Sequence, residues 1–269
     1  MIEFLDVGYT YPTPSGDVPA LCGVSLSLER GETVAVLGSN GSGKSTLALL
    51  ANGVRTPTRG AVFVDGMDTC DEARIWDVRT RVGLVLQNPD NQIVSTTVEE
   101  DVAFGPENLG VAPAEIRQRV DRAIHAVGLA GLERREPHHL SGGQRQRLAI
   151  AGTLALEPAY LILDEPTAML DLQGRADVLA VLDALRSHGT GILHITHHLA
   201  DAARSDRVIV LERGEVALEG LPAEVFSSAD LGALGLTMPP IGVLAGELRS
   251  LGIDVPVEAY TAEAVVDAL

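Results

Sequence analysis

Lysine is almost absent from this chain. Among 20 Lys and Arg residues there is a single lysine, Lys44, set against 37 acidic residues, and the formal net charge is −17. A binder of nucleic acid needs a basic face to neutralise phosphates, so this balance argues against that class. It equally argues against direct adhesion to an anionic membrane surface. Cysteine is scarce too: Cys22 and Cys70 stand alone, without metal-ligand spacing. A disulfide scaffold and a cysteine zinc site are both excluded, and two reduced thiols are expected. Aromatic residues make up only 3 % of the chain, so its 46 % apolar content must build a core from Leu, Val, Ile and Ala. No run approaches the roughly 20 apolar residues that a membrane helix needs. The first six residues carry two acids and no basic stretch, unlike a secretory signal. A cytosolic protein is therefore expected, although its partners can be elsewhere.

What is present is an alternation of apolar strands and amphipathic helices. Residues 2–7 and 24–28 alternate with period two and read as strands, separated by a Pro/Gly turn region over 12–19. Residues 33–37 form a short apolar run of the kind found in buried parallel strands. A Gly-rich loop follows, then a helical stretch over 45–52. Residues 82–86 read as another strand. From about 90 to 155 the pattern is charged and helical. Strand and helix then alternate again: 160–163 strand, 175–187 helix, 191–195 strand, and a hairpin of 207–211 with 215–218 around Arg213 and Gly214. The fold class predicted is α/β with a helical insertion. Beyond Pro222 the character changes. Ile241, Leu244, Leu248 and Leu251 fall on one helical face, and residues 258–269 are helix-like. This C-terminal extension, 223–269, reads either as a cap packed on the core or as a dimerisation element.

The loop after the 33–37 strand reads Gly38, Ser39, Asn40, Gly41, Ser42, Gly43, Lys44, Ser45, Thr46. It fits the phosphate-loop pattern, in the strand-to-helix context that the pattern demands. Glycines let successive backbone N–H groups turn inward on phosphate oxygens, and the following helix adds the positive end of its dipole. Lys44 is expected to reach the β- and γ-phosphates, and the Ser45 hydroxyl to bind Mg²⁺. About 120 residues later the strand 161–163 ends in Asp164 and Glu165. Asp164 is the candidate Mg²⁺ ligand. Glu165 is the candidate general base for the attacking water.

Leu140, Ser141, Gly142, Gly143 and Gln144 precede a helical stretch and can present N–H groups and a hydroxyl to an anion. With the other elements in order, the chain resembles the nucleotide-binding subunits of ABC transporters. In that family this segment is the signature motif, which closes on ATP held by a second subunit. The resemblance implies a phosphate-loop NTPase core of the RecA-like kind with an antiparallel β subdomain. It implies further roles as well. Gln87 corresponds to the glutamine loop, touching Mg²⁺ and water and sensing the membrane partner. Asp171 corresponds to the contact with the opposite subunit, and His197 to the switch histidine on the γ-phosphate, with His198 a bystander. Tyr11 corresponds to the aromatic that stacks on adenine, although Tyr9 competes for that role.

The stretches Gln-Asn-Pro-Asp-Asn-Gln at 87–92 and Thr-Val-Glu-Glu-Asp-Val-Ala-Phe-Gly-Pro-Glu-Asn at 97–108 resemble the ATPases of energy-coupling factor importers, including cobalt and nickel uptake ATPases. That implies an ATP-binding domain over 1–222, with a helical subdomain at about 90–155. It also implies a peripheral place on the cytoplasmic face of the cell membrane. The implied partners are a second ATPase subunit, identical or related, a transmembrane coupling subunit and a separate substrate-binding membrane subunit. No nucleic acid is expected. Other ABC transporter classes, and soluble ABC ATPases acting on nucleic acid or ribosomes, are the competing readings.

Overall fold

The computed structural model describes residues 1–228, 231–236, 240–256 and 265–269. The two N-terminal alternating runs form longer strands than their patterns mark. β1 (Ile2–Tyr11) and β2 (Val18–Leu28) pair antiparallel, with Thr10 opposite Pro19 and Tyr11 opposite Val18. The turn is thus shorter than the 12–19 expected. Pro19 is tolerated in β2 because that strand is the edge of its sheet, where a missing N–H costs no ladder bond. β3 (Thr33–Leu37) is buried at every position and runs through the Gly-rich loop into α1 (Lys44–Ala51). β4 (Arg59–Val64) and β5 (Met67–Asp68) complete the first sheet in the order β2-β1-β4-β5.

After α2 (Ile75–Arg81) comes β6 (Val82–Val85), then the helical insertion of α3 (Val98–Asn108), α4 (Pro113–Ala126) and α5 (Gly142–Leu154). Thr97 caps α3: its hydroxyl accepts from the Glu100 N–H while the Glu100 carboxylate accepts from the Thr97 N–H, a reciprocal capping box. Val98, Val102, Val120, Ile124 and Leu148 bury the inner faces of the three helices against Leu161 and Leu163. The chain continues with β7 (Tyr160–Asp164), α6 (Leu172–Ser187), β8 (Gly191–Ile195), α7 (Leu199–Ala202), β9 (Arg207–Glu212) and β10 (Glu215–Gly220).

The second sheet has the order β10-β9-β3-β8-β7-β6. β3 pairs parallel with β8 and β9, and β7 pairs parallel with β6 and β8. The carboxyl ends of β3, β6, β7 and β8 therefore open on one edge, the place where open α/β sheets bind ligands. Asp65, in the turn between β4 and β5, ties the two sheets together. Its carboxylate accepts from the Met1 amine at 2.7 Å, the Tyr160 hydroxyl at 2.7 Å, Arg30 at 2.6 Å and Arg81 at 2.9 Å. Its partial burial favours the proton, but these donors outweigh burial and hold its pKa well below the carboxylate norm.

After Pro222, α8 (Pro222–Phe226) lies on the core: Val225, Phe226, Leu231 and Leu236 bury against Ala35, Leu37, Val208 and Val210. α9 (Pro240–Ser250) then packs Ile241, Ala245 and Leu248 with Val255 and Val265. The face expected to carry Ile241, Leu244, Leu248 and Leu251 is only half used, because Leu244 and Leu251 are exposed. Ala245, smaller and better placed, takes the central contact. Most of the helix-like stretch at 258–269 lies outside the described residues. Among the described residues no helix is long and apolar enough to cross a membrane.

Candidate nucleotide site

The loop 38–43 turns sharply because its glycines let it. Gly38 has φ 151° and Gly43 φ 105°, conformations that side chains rarely adopt. A Cβ on Gly38 would stand 2.3 Å from the Leu211 carbonyl oxygen, and one on Gly43 would stand 2.5 Å from that of Ala20. Lys44 folds back over this loop, donating from Nζ to the carbonyls of Gly38 at 2.8 Å and Ser39 at 2.9 Å. Burial pushes its pKa down, against the pull of the Glu165 and Asp164 carboxylates. The ammonium is thus held where a further negative group, such as a phosphate, would be drawn to it.

Asp164 ends β7 beside the loop. Burial raises its pKa, and the Ser45 hydroxyl that donates to it opposes the shift; the neighbouring Glu165 charge adds to it and Lys44 works against it. Ser45 and Asp164 are hard oxygen donors in contact, and a buried carboxylate short of positive charge is what a small divalent ion would satisfy. The donor set therefore fits Mg²⁺.

Two side chains far apart in sequence meet at the Glu165 carboxylate. The amide of Gln87, just beyond β6, donates to Oε2 at 3.3 Å, and Nδ1 of His197, just beyond β8, lies 3.2 Å from the same oxygen. Glu165 itself sits at φ 49°, an uncommon backbone for a non-glycine residue, and its N–H donates to the Ile195 carbonyl at 2.9 Å. The cavity in front of these groups has a volume of about 1020 Å³ and is walled by Tyr11, the phosphate loop, Gln87, Glu165, Met169 and His197. Tyr11 lines it, with its hydroxyl 3.1 Å from Thr46 Oγ1. Tyr9 is buried in the core, edge-on to Tyr11 at 4.8 Å between ring centroids. His198 lies beside His197 outside this wall.

Ser141, Gly142, Gly143, Gln144 and Asp171 lie outside the cavity wall. Ser141 is the N-cap of α5: its Oγ accepts from the Gln144 N–H at 3.2 Å, and the Gln144 side chain accepts from the Ser141 N–H at 2.9 Å. The helix begins at Gly142, directly after this cap. Asp171 caps α6 with a single bond, its carboxylate accepting from the Gly174 N–H at 2.8 Å. The two caps adjoin, since a Cβ on Gly143 would come 3.0 Å from Gly174 Cα. Met169 and Leu172 beside them are 67 % and 87 % exposed.

The family model described as ABC transporter matches residues 21–168. An energy-coupling factor transporter ATP-binding protein of Symbiobacterium thermophilum is 52 % identical over 98 % of this chain and 94 % of its own length. The chain belongs to the ABC transporter family, among the energy-coupling factor ATP-binding proteins. A cobalt import ATP-binding protein of Syntrophus aciditrophicus is 47 % identical to this ABC chain, over 95 % of it and 91 % of that relative. Among solved structures, cbiO1 of Clostridium perfringens, described as part of the ABC transporter complex cbiONQ, superposes with TM-score 0.77 at 38 % identity, covering 91 % of this chain and 98 % of that one. The ATP-binding cassette MJ0796, solved as a dimer in a post-hydrolysis state with ADP and Pi, gives TM-score 0.75 at 31 % identity, covering 82 % and 99 %.

Sequence reasoning missed the residues that hold this ABC site in shape. Asp201, almost fully buried, receives Thr167 Oγ1 at 3.1 Å and the Arg175 guanidinium at 2.7 and 3.2 Å, pinning the loop between Glu165 and Asp171 to α6. Gln92 accepts from the Leu86 N–H at 3.1 Å and donates to Leu84 and Thr153, fixing the approach to Gln87. Gly235 and Leu236, from the C-terminal extension, reach the cavity wall. Gln92 closes the 87–92 stretch singled out above, while Asp201, Gly235 and Leu236 stand in no motif; an acid four residues after His197 is the one signal for Asp201 in the sequence.

Proposed function

We propose that this chain is the ATP-hydrolysing subunit of an energy-coupling factor importer, and that two such subunits share each ATP. One observation carries the reading. The phosphate loop, Gln87, Glu165 and His197 face one cavity, while Ser141, Gly142, Gly143, Gln144 and Asp171 adjoin each other outside it. One chain thus offers two half-sites. Pairing brings the Ser141 end of one subunit over the phosphate loop of the other, and the exposed Met169 and Leu172 are buried as the two meet. ATP binding closes the pair, and loss of the γ-phosphate lets it part.

The reacting groups divide the work. Backbone N–H groups of 38–46 and Lys44 hold the phosphates. Glu165, aimed by Gln87 and His197, takes a proton from the attacking water, and His197 meets the γ-phosphate. Tyr11 receives the adenine. Ser45, Asp164 and Gln87 are the residues that would hold Mg²⁺, which would supply positive charge to offset that of the phosphates. A groove of about 470 Å³, lined by Asp90, Ile93, Thr96, Pro137 and Arg145, lies on the helical insertion. It is linked to the site because Gln146 of α5 donates to the Leu86 carbonyl at 3.4 Å, next to Gln87. This is where a helix of the transmembrane coupling subunit is expected to push. The subunit works at the cytoplasmic membrane face, and cargo is chosen by a separate membrane protein.

The test is to capture the tagged chain from its own detergent-solubilised membranes and identify what accompanies it. A multi-helix membrane subunit with a small substrate-binding membrane protein supports the proposal, and a second related ATPase would make the pair a heterodimer. Recovery of soluble partners or ribosomes alone would overturn the importer reading and leave the ATPase chemistry standing.

A further inference from the structure

Just before the signature segment, the chain reads Glu136, Pro137, His138, His139, Leu140. Residues Pro137–His139 form one tight 3-10 turn, with Pro137 buried at its start. The His139 N–H donates to the Glu136 carbonyl at 3.0 Å and the Leu140 N–H to that of Pro137 at 3.1 Å. The backbone that carries the three polar side chains is thus already closed. All three side chains turn to solvent and converge. His138 Nε2 lies 3.1 Å from Glu136 Oε2, His139 Nδ1 lies 3.8 Å from the same oxygen, and the two imidazole centroids are 4.0 Å apart.

We propose that Glu136, His138 and His139 form a binding site for a first-row divalent transition-metal ion such as Zn²⁺, Ni²⁺ or Co²⁺. The donor set is two imidazole nitrogens and one carboxylate oxygen, which suits these ions rather than the all-oxygen preference of Mg²⁺ or Ca²⁺. The spacing suits them too. Bonds of about 2.0–2.1 Å in a tetrahedral site put neighbouring donors roughly 3.4 Å apart, and the two nitrogen–oxygen separations bracket that value. All three donor atoms lie within 4.8 Å of one another. Among the described residues no other side chain competes for the Glu136 carboxylate, and the nearby Arg145 is engaged by Asp90 at 3.0 Å. The remaining coordination positions face water.

The place gives the site its interest. Glu136 and His138 also line the groove on the helical insertion, and Ser141 follows His139 by two residues. An ion here stiffens the turn that delivers Ser141 and puts positive charge at the rim of that groove. The site does not depend on the nucleotide reading, and either can fail without the other.

The experiment uses the full chain without a histidine tag, free of nucleotide and in excess Mg²⁺, titrated with Ni²⁺ by calorimetry and with Co²⁺ by visible absorption. Wild type should take up an ion with the d–d bands of a nitrogen- and oxygen-ligated Co²⁺. The double variant His138→Ala with His139→Ala, and separately Glu136→Gln, should weaken binding by about tenfold or more. These side chains are exposed and belong to no core cluster, so the variants should keep the wild-type melting temperature. Equal affinity in wild type and double variant would overturn the proposal, as would no uptake at all. Binding that survives the double variant and disappears with His197→Ala would move the ion to the nucleotide site and overturn it as well.

Discussion

His197 Nδ1 lies 3.2 Å from Oε2 of Glu165, the same oxygen to which Gln87 Nε2 donates at 3.3 Å. The three residues come from the ends of three different parallel strands, and nothing local in the chain brings them together. Their meeting gives the carboxylate a direction. A general base works only when it is within hydrogen-bond reach of the proton it abstracts, and two side chains on one oxygen restrict where the other oxygen points.

Replacing Glu165 with Gln preserves the shape and the hydrogen bonding but removes the base. ATP hydrolysis should fall by about 10²–10⁴-fold, the usual worth of a positioned acid or base, while ATP affinity stays within a few-fold of wild type. Phosphate release and equilibrium binding of a fluorescent ATP analogue read the two quantities separately. Turnover within tenfold of wild type would mean that another group activates the water.

Much of this site was legible in the chain because its chemistry is local. Residues 38–46 carry their own backbone geometry in their glycines, and Asp164 with Glu165 follow a strand that is apolar at each position. What could not be read is what depends on pairing across the sheets. Pro19 looks like a turn residue until β2 proves to be an edge strand. β4 was unmarked because Val62 and Val64 are buried while Ala61 and Phe63 are half-buried, leaving little polar alternation. Choosing Tyr11 over Tyr9 needs the β1 register, since both lie on one strand face. Asp201 was invisible because its partners, Thr167 in the loop before α6 and Arg175 on α6, lie 34 and 26 residues away in the chain and are brought to it only by the fold.

Ser141→Arg places a long cation where the α5 cap should face the second subunit's nucleotide. The half-site around Lys44 is untouched, so ATP affinity of the isolated chain should be unchanged. ATP-dependent pairing should be lost, since an extra side chain blocks close approach. Light scattering after size exclusion, in the Glu165→Gln background so that ATP persists, tests this. Unimpaired pairing would place the subunit contact elsewhere.

Asp201→Ala leaves the Arg175 guanidinium without its partner and frees Thr167. Hydrogen bonds to a charged group contribute about 1.5–3 kcal/mol each, and Arg175 keeps some access to water, so a loss of about 2–3 kcal/mol is expected. Asp201→Asn retains the Thr167 contact and should lose less. Urea unfolding gives both numbers. Because the same loop carries Asp171, ATP turnover should drop more than ATP affinity; equal losses of both would mean that the network supports the fold alone.

His194, on β8, is fully buried, and its Nε2 has no hydrogen-bond partner. Burial pushes its pKa down to about 4; the Asp201 carboxylate works against that shift, and Arg175 and His198 add to it. The unfolded chain takes up this proton near the ordinary value of about 6.5. Between these two values the unfolded state holds more protons than the native one, so stability must fall as pH falls through this window. Above it the neutral imidazole costs nothing extra. From about pH 7.5 to about pH 5 the loss from this residue alone should be on the order of 2 kcal/mol. Asp164, whose pKa is raised, acts in the opposite sense, so the wild-type curve by itself does not isolate the effect. His194→Leu removes one titration and keeps the other. Urea midpoints of both proteins at the two pH values should show the wild type losing ground to the variant as the solution is acidified. Parallel loss in the two would mean that His194 takes up its proton in the native state as easily as in the unfolded one.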